Sequence, residues 1–193
     1  MKPIKKIKEN ITLPEYKKLM IAARGSENIR ENTRTNLLRT FTILYFTGLR
    51  LNELQEMRVK HIKELLETGT TKIDLTKTKS ERKLYLTPEF KKQLEKLFDL
   101  NKEDIQNRVI AKGSYKRDGI NPITFIQQIN KFMKDVLGPG YTSHSFRQGL
   151  ITEMGSKSIN TKIISKFIGH SDVKTTMRYI NPTDVDIMNS LVR

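Results

Sequence analysis

Cysteine is absent from the 193 residues, which excludes a disulfide framework, a thiolate zinc site and a cysteine nucleophile. Histidine is scarce. The three histidines, at 61, 144 and 170, are too dispersed for their spacing to suggest a metal site. No apolar run approaches the roughly 18 residues of a membrane span, and the first residues lack the apolar core of a signal peptide. These absences predict a soluble, intracellular protein. Acidic residues are also in deficit, with 21 Asp and Glu against 36 Lys and Arg, a formal net charge of +15. The surplus runs the whole length of the chain rather than gathering in one tail or amphipathic helix. That distribution places nucleic acid well ahead of an anionic membrane as the partner.

Hydrophobic residues make up 36% and charged residues 30%, a globular balance rather than a disordered one. The length suits one sizeable domain, or at most two small ones. Residues 1–11, with Lys2, Lys5, Lys6 and Lys8, read as a basic N-terminal arm. Thr12 and Glu15 then form a capping box that opens the main domain, expected over residues 12–182. Leu37, Leu38, Phe41, Leu44 and Tyr45 recur at helical spacing and predict a buried central helix over about 34–46. Thr47-Gly48 interrupts it, and a short helix with Leu51, Leu54 and Met57 resumes. Strands are expected at 71–76 and 82–87, joined by the basic tip Lys77-Thr78-Lys79-Ser80-Glu81. Pro88 suits the first turn of a further helix. Gly113 to Gly119 reads as a basic loop, and helices follow at about 122–137, 143–155, 160–168, 172–180 and 184–192. The expected architecture is mainly α with a small antiparallel β-hairpin.

Four stretches differ from ordinary surface or core. In Thr47-Gly48-Leu49-Arg50-Leu51-Asn52-Glu53-Leu54, Arg50 follows a glycine break among apolar residues, with Glu53 on the same helical side. Read alone, that is a local ion pair worth about 0.2–0.5 kcal/mol. In His144-Ser145-Phe146-Arg147, the buried arc runs through Phe146, Leu150, Ile151 and Met154, and Arg147 falls inside it at about 100° per residue. An arginine there must meet a carboxylate, a carbonyl or a ligand, because a buried unpaired charge is expensive. His144 lies one turn before it, so the pair reads either as a phosphate cradle at a helix N-terminus or as a core histidine with a structural arginine. In Ile168-Gly169-His170-Ser171-Asp172, His170 sits at a turn, and Tyr179 follows nine residues later. Val173, Met177 and Ile180 form the expected apolar stripe there, with Tyr179 about 240° round from Val173. The fourth stretch is the hairpin tip with Lys77 and Lys79, by itself a solvated charge cluster.

In this order and at these separations, Arg50, Lys77, His144-x-x-Arg147, His170 and Tyr179 resemble the tyrosine recombinase (integrase) family. Thr-Gly-Leu-Arg-x-x-Glu-Leu, His-Ser-Phe-Arg and Ile-Gly-His-Ser match its local strings, and the resemblance spans residue 12 to the C-terminus. It implies the family's mainly helical catalytic-domain fold and site-specific recombination of double-stranded DNA. Tyr179 would attack the scissile phosphate, giving a 3′-phosphotyrosyl link and a free 5′-hydroxyl. Arg50 and Arg147 would hold the non-bridging oxygens, and His144 and His170 would assist with hydrogen bonds and proton transfer. Lys77 would protonate the leaving 5′-oxygen, and Glu53 would support the site. Such a set of cationic and donor groups stabilises phosphoryl transfer electrostatically, so no metal and no other cofactor is expected.

The resemblance further implies self-assembly on DNA into a tetrameric synapse, with residues 183–193 as an amphipathic C-terminal helix passed between protomers. It implies a cytoplasmic, nucleoid-associated location and no membrane partner. Alternatives are a type IB topoisomerase-like relaxation of DNA and a basic DNA-binding module without catalysis. Three departures stand out. Gln148 follows the second arginine where the family often has histidine. The hairpin offers two lysines, and anchoring on Glu81-Arg82 favours Lys77, with Lys79 in reserve. Relatives usually carry an N-terminal DNA-clamping domain, whereas this chain has about a dozen residues ahead of the catalytic domain. An excised fragment and a naturally short recombinase both fit that length.

Overall fold

The computed structural model describes residues 9–75, 80–113, 115–170 and 172–180, together with 184 and 188. The chain enters along Ile11, whose amide donates to the Ser145 carbonyl at 3.1 Å. The contact is close because residue 149 is glycine, since a Cβ there would collide with the Ile11 carbonyl. Helix α1 (Leu13–Gly25) follows, with the Thr12 amide donating to the Glu15 carboxylate at 3.0 Å as the capping box predicts. Helix α2 (Glu31–Thr47) buries Leu37, Phe41, Ile43 and Leu44. Each such side chain contributes roughly 1.5–3 kcal/mol when fully buried. Helix α2 packs against α1 on one side. Its C-terminus is capped by Gly48 in the left-handed region, at φ 57° and ψ 25°.

Helix α3 (Leu51–Glu56) is shorter than the spacing predicts, because Met57 turns extended at φ −68° and ψ 139°. Residues 59–68, where no helix is expected, form α4 (Val59–Thr68) and bury Val59, Ile62 and Leu65. That stripe has helical spacing, and the Met57 turn separates it from α3. Strands β1 (Thr70–Leu75) and β2 (Ser80–Tyr85) pair antiparallel, with Thr70 opposite Tyr85 and Leu75 opposite Ser80. The second strand therefore begins two residues earlier than expected, and Ser80 and Glu81 join the ladder. It ends before Thr87, whose hydroxyl instead accepts from the Phe90 amide at 3.3 Å and caps α5 (Pro88–Leu97). Alternation along the strands turns Thr71, Ile73, Arg82 and Leu84 inward, each nearly inaccessible to solvent. Lys77 and Lys79, the two candidates at the tip, lie outside the described residues.

The second half of the chain is α6 (Pro122–Leu137), α7 (His144–Ser156), α8 (Thr161–Ile168) and α9 (Val173–Met177). Helices α5 and α7 both pack on α2. A second, smaller core gathers Ile151, Ile164 and Ile168, with Leu150, Met154, Tyr179 and Ile180 against it. Helix α9 is shorter than expected and ends before Tyr179. Its buried residue is Thr176 rather than Met177, which is 59% exposed. A buried hydroxyl needs a partner, and Thr176 has one in His170. The expected C-terminal helix lies outside the described residues apart from Asp184 and Met188, and residues 1–8 of the arm lie outside them altogether. Among the described residues, the architecture is mainly helical with one two-stranded antiparallel sheet. No helix among them is long and apolar enough to cross a membrane.

Candidate active site

The turn after α2 sets the first arginine. Gly48 reverses the chain in the left-handed region, and Arg50 becomes the residue that caps α3. Its amide donates to Glu53 Oε2 at 2.8 Å, and its Nη1 donates to Glu53 Oε1 at 2.7 Å. The Arg50 side chain remains 44% exposed, whereas that of Glu53 is 5% exposed. The carboxylate also accepts from Arg82 Nη1 at 2.7 Å, and Arg82 Nη2 donates to the Thr47 carbonyl at 2.8 Å. Burial alone would raise the Glu53 carboxyl, but the Arg82 charge and the two Arg50 donors outweigh it and hold the group below its ordinary value. Removing one partner of a buried pair like Glu53–Arg82 costs about 3–5 kcal/mol, because the other charge is stranded.

Arg147 projects from the first turns of α7 toward the same place. It is 1% exposed, the largest of the fully buried side chains. Nη1 donates to the Gly48 carbonyl at 2.9 Å and Nη2 to the Ile168 carbonyl at 2.7 Å. The alternatives posed by its place on the buried arc thus resolve to carbonyl partners. Those two bonds leave the second hydrogen on each terminal nitrogen, and Nε has no protein partner. Burial, then the charges of Arg82 and Arg50, lower its pKa, and it remains a cation at neutral pH.

His144 stands beside Tyr179, and His170 bonds Thr176 in α9. The Ser143 amide is held by Asn130 Oδ1 at 2.9 Å, which fixes the start of α7 where His144 stands. His144 Nε2 lies 3.5 Å from Tyr179 Oη, with the rings edge to face and 6.5 Å between centroids. His170 Nδ1 lies 2.8 Å from Thr176 Oγ1. Burial, then the charges of Arg147, Arg50 and Arg82 and finally His144, lower the His170 pKa to about 4. Its ring is therefore neutral at pH 7. Tyr179 is half-buried, its amide donates to the Thr176 carbonyl at 3.0 Å, and its own carbonyl accepts from Thr152 Oγ1 at 3.4 Å. A cleft of about 200 Å³ beside Arg50 and His144 is lined also by Asn52, Ile126 and Ser143.

Two guanidinium groups thus share one carboxylate, a third rests on backbone carbonyls nearby, and the surplus positive charge stands beside a phenol that approaches an imidazole. Such a site suits an anion with a reacting centre near the phenol oxygen. The profile of the phage integrase family matches residues 9–185. This chain belongs to that family.

The integrase-family chain is similar to tyrosine recombinase XerA of Pyrococcus horikoshii, with 23% identity over 179 residues. The match covers 93% of this chain and 59% of that protein, so the chain spans about three-fifths of the relative's length. Its fold is that of the Tn1549 transposon integrase solved in complex with a circular intermediate DNA, at a TM-score of 0.74 and 16% identity. That match covers 99% of this chain and 67% of the other. A lambda integrase tetramer bound to a Holliday junction has the same fold at a TM-score of 0.63 and 19% identity, over 92% of this chain and 49% of the other.

Of the residues singled out from the sequence, Arg50, Glu53, His144, Arg147, His170 and Tyr179 converge in this integrase-family chain. Lys77 falls outside the described residues. Arg82, in sequence only an anchor for the hairpin register, joins the converging residues. Its signal was the period of two along β2, which puts a charged residue on the same inward face as Leu84.

Proposed function

We propose that this chain is the catalytic domain of a site-specific DNA recombinase that cuts and rejoins double-stranded DNA through a 3′-phosphotyrosyl intermediate. The observation that carries the reading is the approach of Tyr179 Oη to within 3.5 Å of His144 Nε2, beside the Arg50–Glu53–Arg82–Arg147 cluster. A neutral phenol is a weak nucleophile until a neighbour accepts its proton, and in this reading His144 accepts it. The phenol oxygen forms the new bond to phosphorus, and the bond from phosphorus to the 5′-oxygen breaks. Lys77 supplies the proton to that leaving oxygen. Arg50 and the remaining hydrogens of Arg147 meet the charge on the non-bridging oxygens, where a preorganised donor is worth most. His170, neutral in the DNA-free protein, adds a hydrogen bond from the same side.

The tyrosyl phosphodiester conserves the energy of the broken bond, so rejoining by the free 5′-hydroxyl requires no nucleotide. The partner is duplex DNA, bound in a cytoplasmic, nucleoid-associated setting. The net charge of +15 supports that partner. Assembly on DNA is tetrameric, with residues 183–193 exchanged between protomers. The tetrameric state of the lambda integrase on its junction supports this reading.

The test uses a site nicked so that the released end diffuses away, in EDTA, at high protein and low salt. The full chain should accumulate an SDS-resistant adduct at the DNA 3′ end, and Tyr179→Phe should abolish it with binding nearly unchanged. An adduct that persists in Tyr179→Phe would overturn the nucleophile assignment. No adduct with the unaltered chain would favour a DNA-binding module without catalysis.

A further inference from the structure

Arg82 is 4% exposed and is the one charged residue on the inward face of β2. An arginine is an expensive filler for such a place, since well-packed apolar side chains serve as well or better where only volume is needed. Its contacts indicate what the guanidinium adds. One terminal nitrogen reaches Glu53 Oε2 and the other reaches the Thr47 carbonyl, 2.7 and 2.8 Å away. Those two acceptors bracket the turn that carries Gly48 and Arg50. Within the bracket, Glu53 orients Arg50 through two bonds, and the Gly48 carbonyl holds Arg147. A planar fork can hold two acceptors at a set angle, whereas an ammonium acts as a point charge.

We propose that Arg82 is a positioning residue. Its fork fastens β2 to the turn of Thr47–Glu53 and so fixes the pose of Arg50 and of the carbonyl that orients Arg147. The inference rests on the recombinase reading and deepens it. Arg82 touches no reacting atom. It acts through Glu53 and through Thr47, and it joins the hairpin to both phosphate-binding arginines at once. Its charge also adds to the positive surplus of the DNA-free site, which an arriving phosphate offsets.

The test compares the unaltered chain with Arg82→Lys and with the double variant Glu53→Gln, Arg82→Met, which removes both charges and strands neither. DNA affinity, thermal melting and the single-turnover rate of adduct formation at saturating protein are measured for each. Arg82→Lys should melt near the wild type and bind within about threefold, yet form adduct about 10²-fold more slowly, the scale of a small misplacement at a reacting centre. The double variant should be slowed at least as much. It should also shift the His170 titration upward, because Arg82 then no longer stands with Arg147, Arg50 and His144 around that ring. Wild-type cleavage rates in Arg82→Lys would show that charge alone suffices and would overturn the positioning role. A parallel loss of melting temperature, affinity and rate in both variants would make Arg82 a residue of the fold only, and would overturn it too. No adduct with the unaltered chain is a different result, because it removes the recombinase reading and this inference with it.

Discussion

Arg147 and Gly48, ninety-nine positions apart, are joined by a 2.9 Å hydrogen bond from the guanidinium to the glycine carbonyl. The carbonyl can point there because Gly48 adopts φ 57°, and the helix of Arg147 can approach because residue 48 has no side chain. A Cβ at that position would lie 2.9 Å from Ile168 Cδ1 and 3.1 Å from Leu150 Cδ2.

Gly48→Ala should therefore be costly on two counts. The left-handed conformation costs an alanine about 1–2 kcal/mol, and crowding against Ile168 and Leu150 adds to it. Urea melts should show a loss of at least that size. Adduct formation should fall more than DNA affinity, because the Arg147 acceptor moves while the charged surface remains. A variant as stable and as active as the wild type would contradict the close approach.

The depressed His170 pKa has a defined sign. The folded state holds the ring neutral down to about pH 4, while an unfolded chain protonates it near 6.5. Between those values the unfolded state binds more protons, so this group makes stability fall as pH drops from about 6.5 toward 4 and has no effect above that window. Glu53, whose carboxyl is lowered, adds a loss in the same direction at more acid pH. Histidine ring shifts followed by NMR should place His170 near 4 in the free protein and higher in Arg147→Met. An ordinary titration near 6.5 would mean that the guanidinium groups do not act on it.

The leaving-group assignment predicts a substrate-dependent defect. Lys77→Ala should slow cleavage of ordinary DNA strongly but matter far less when a 5′-bridging sulfur replaces oxygen, since a thiolate departs without a proton. If the sulfur substrate rescues Lys79→Ala instead, the general acid sits two residues along the hairpin.

Affinity should be dominated by charge. With about 6–10 phosphates contacted, binding should weaken by roughly 10³–10⁵ between 50 and 200 mM salt. A titration that is flat across that range would remove the electrostatic account of the +15 surplus.

Periodicity and local chemistry by themselves determined the central helix, the hairpin, the capped start of α1, the proline at the first turn of α5, and the order of the candidate site residues. Those features depend on neighbours three, four or two positions away, so a one-dimensional reading captures them. The family strings around Arg50, Arg147 and His170 were legible for the same reason. The break at Met57 and the early start of β2 were not, because each depends on what the next element must cap or pair with. Thr176 could replace Met177 as the buried residue of α9 only because His170 folds back to bond its hydroxyl. Tertiary structure alone decided that Arg147 spends its two terminal nitrogens on backbone carbonyls from two distant turns, and that Arg82 shares Glu53 with Arg50. A buried charge takes whatever acceptors the packed chain brings to it, and these lie 21 to 99 positions away, beyond any local pattern.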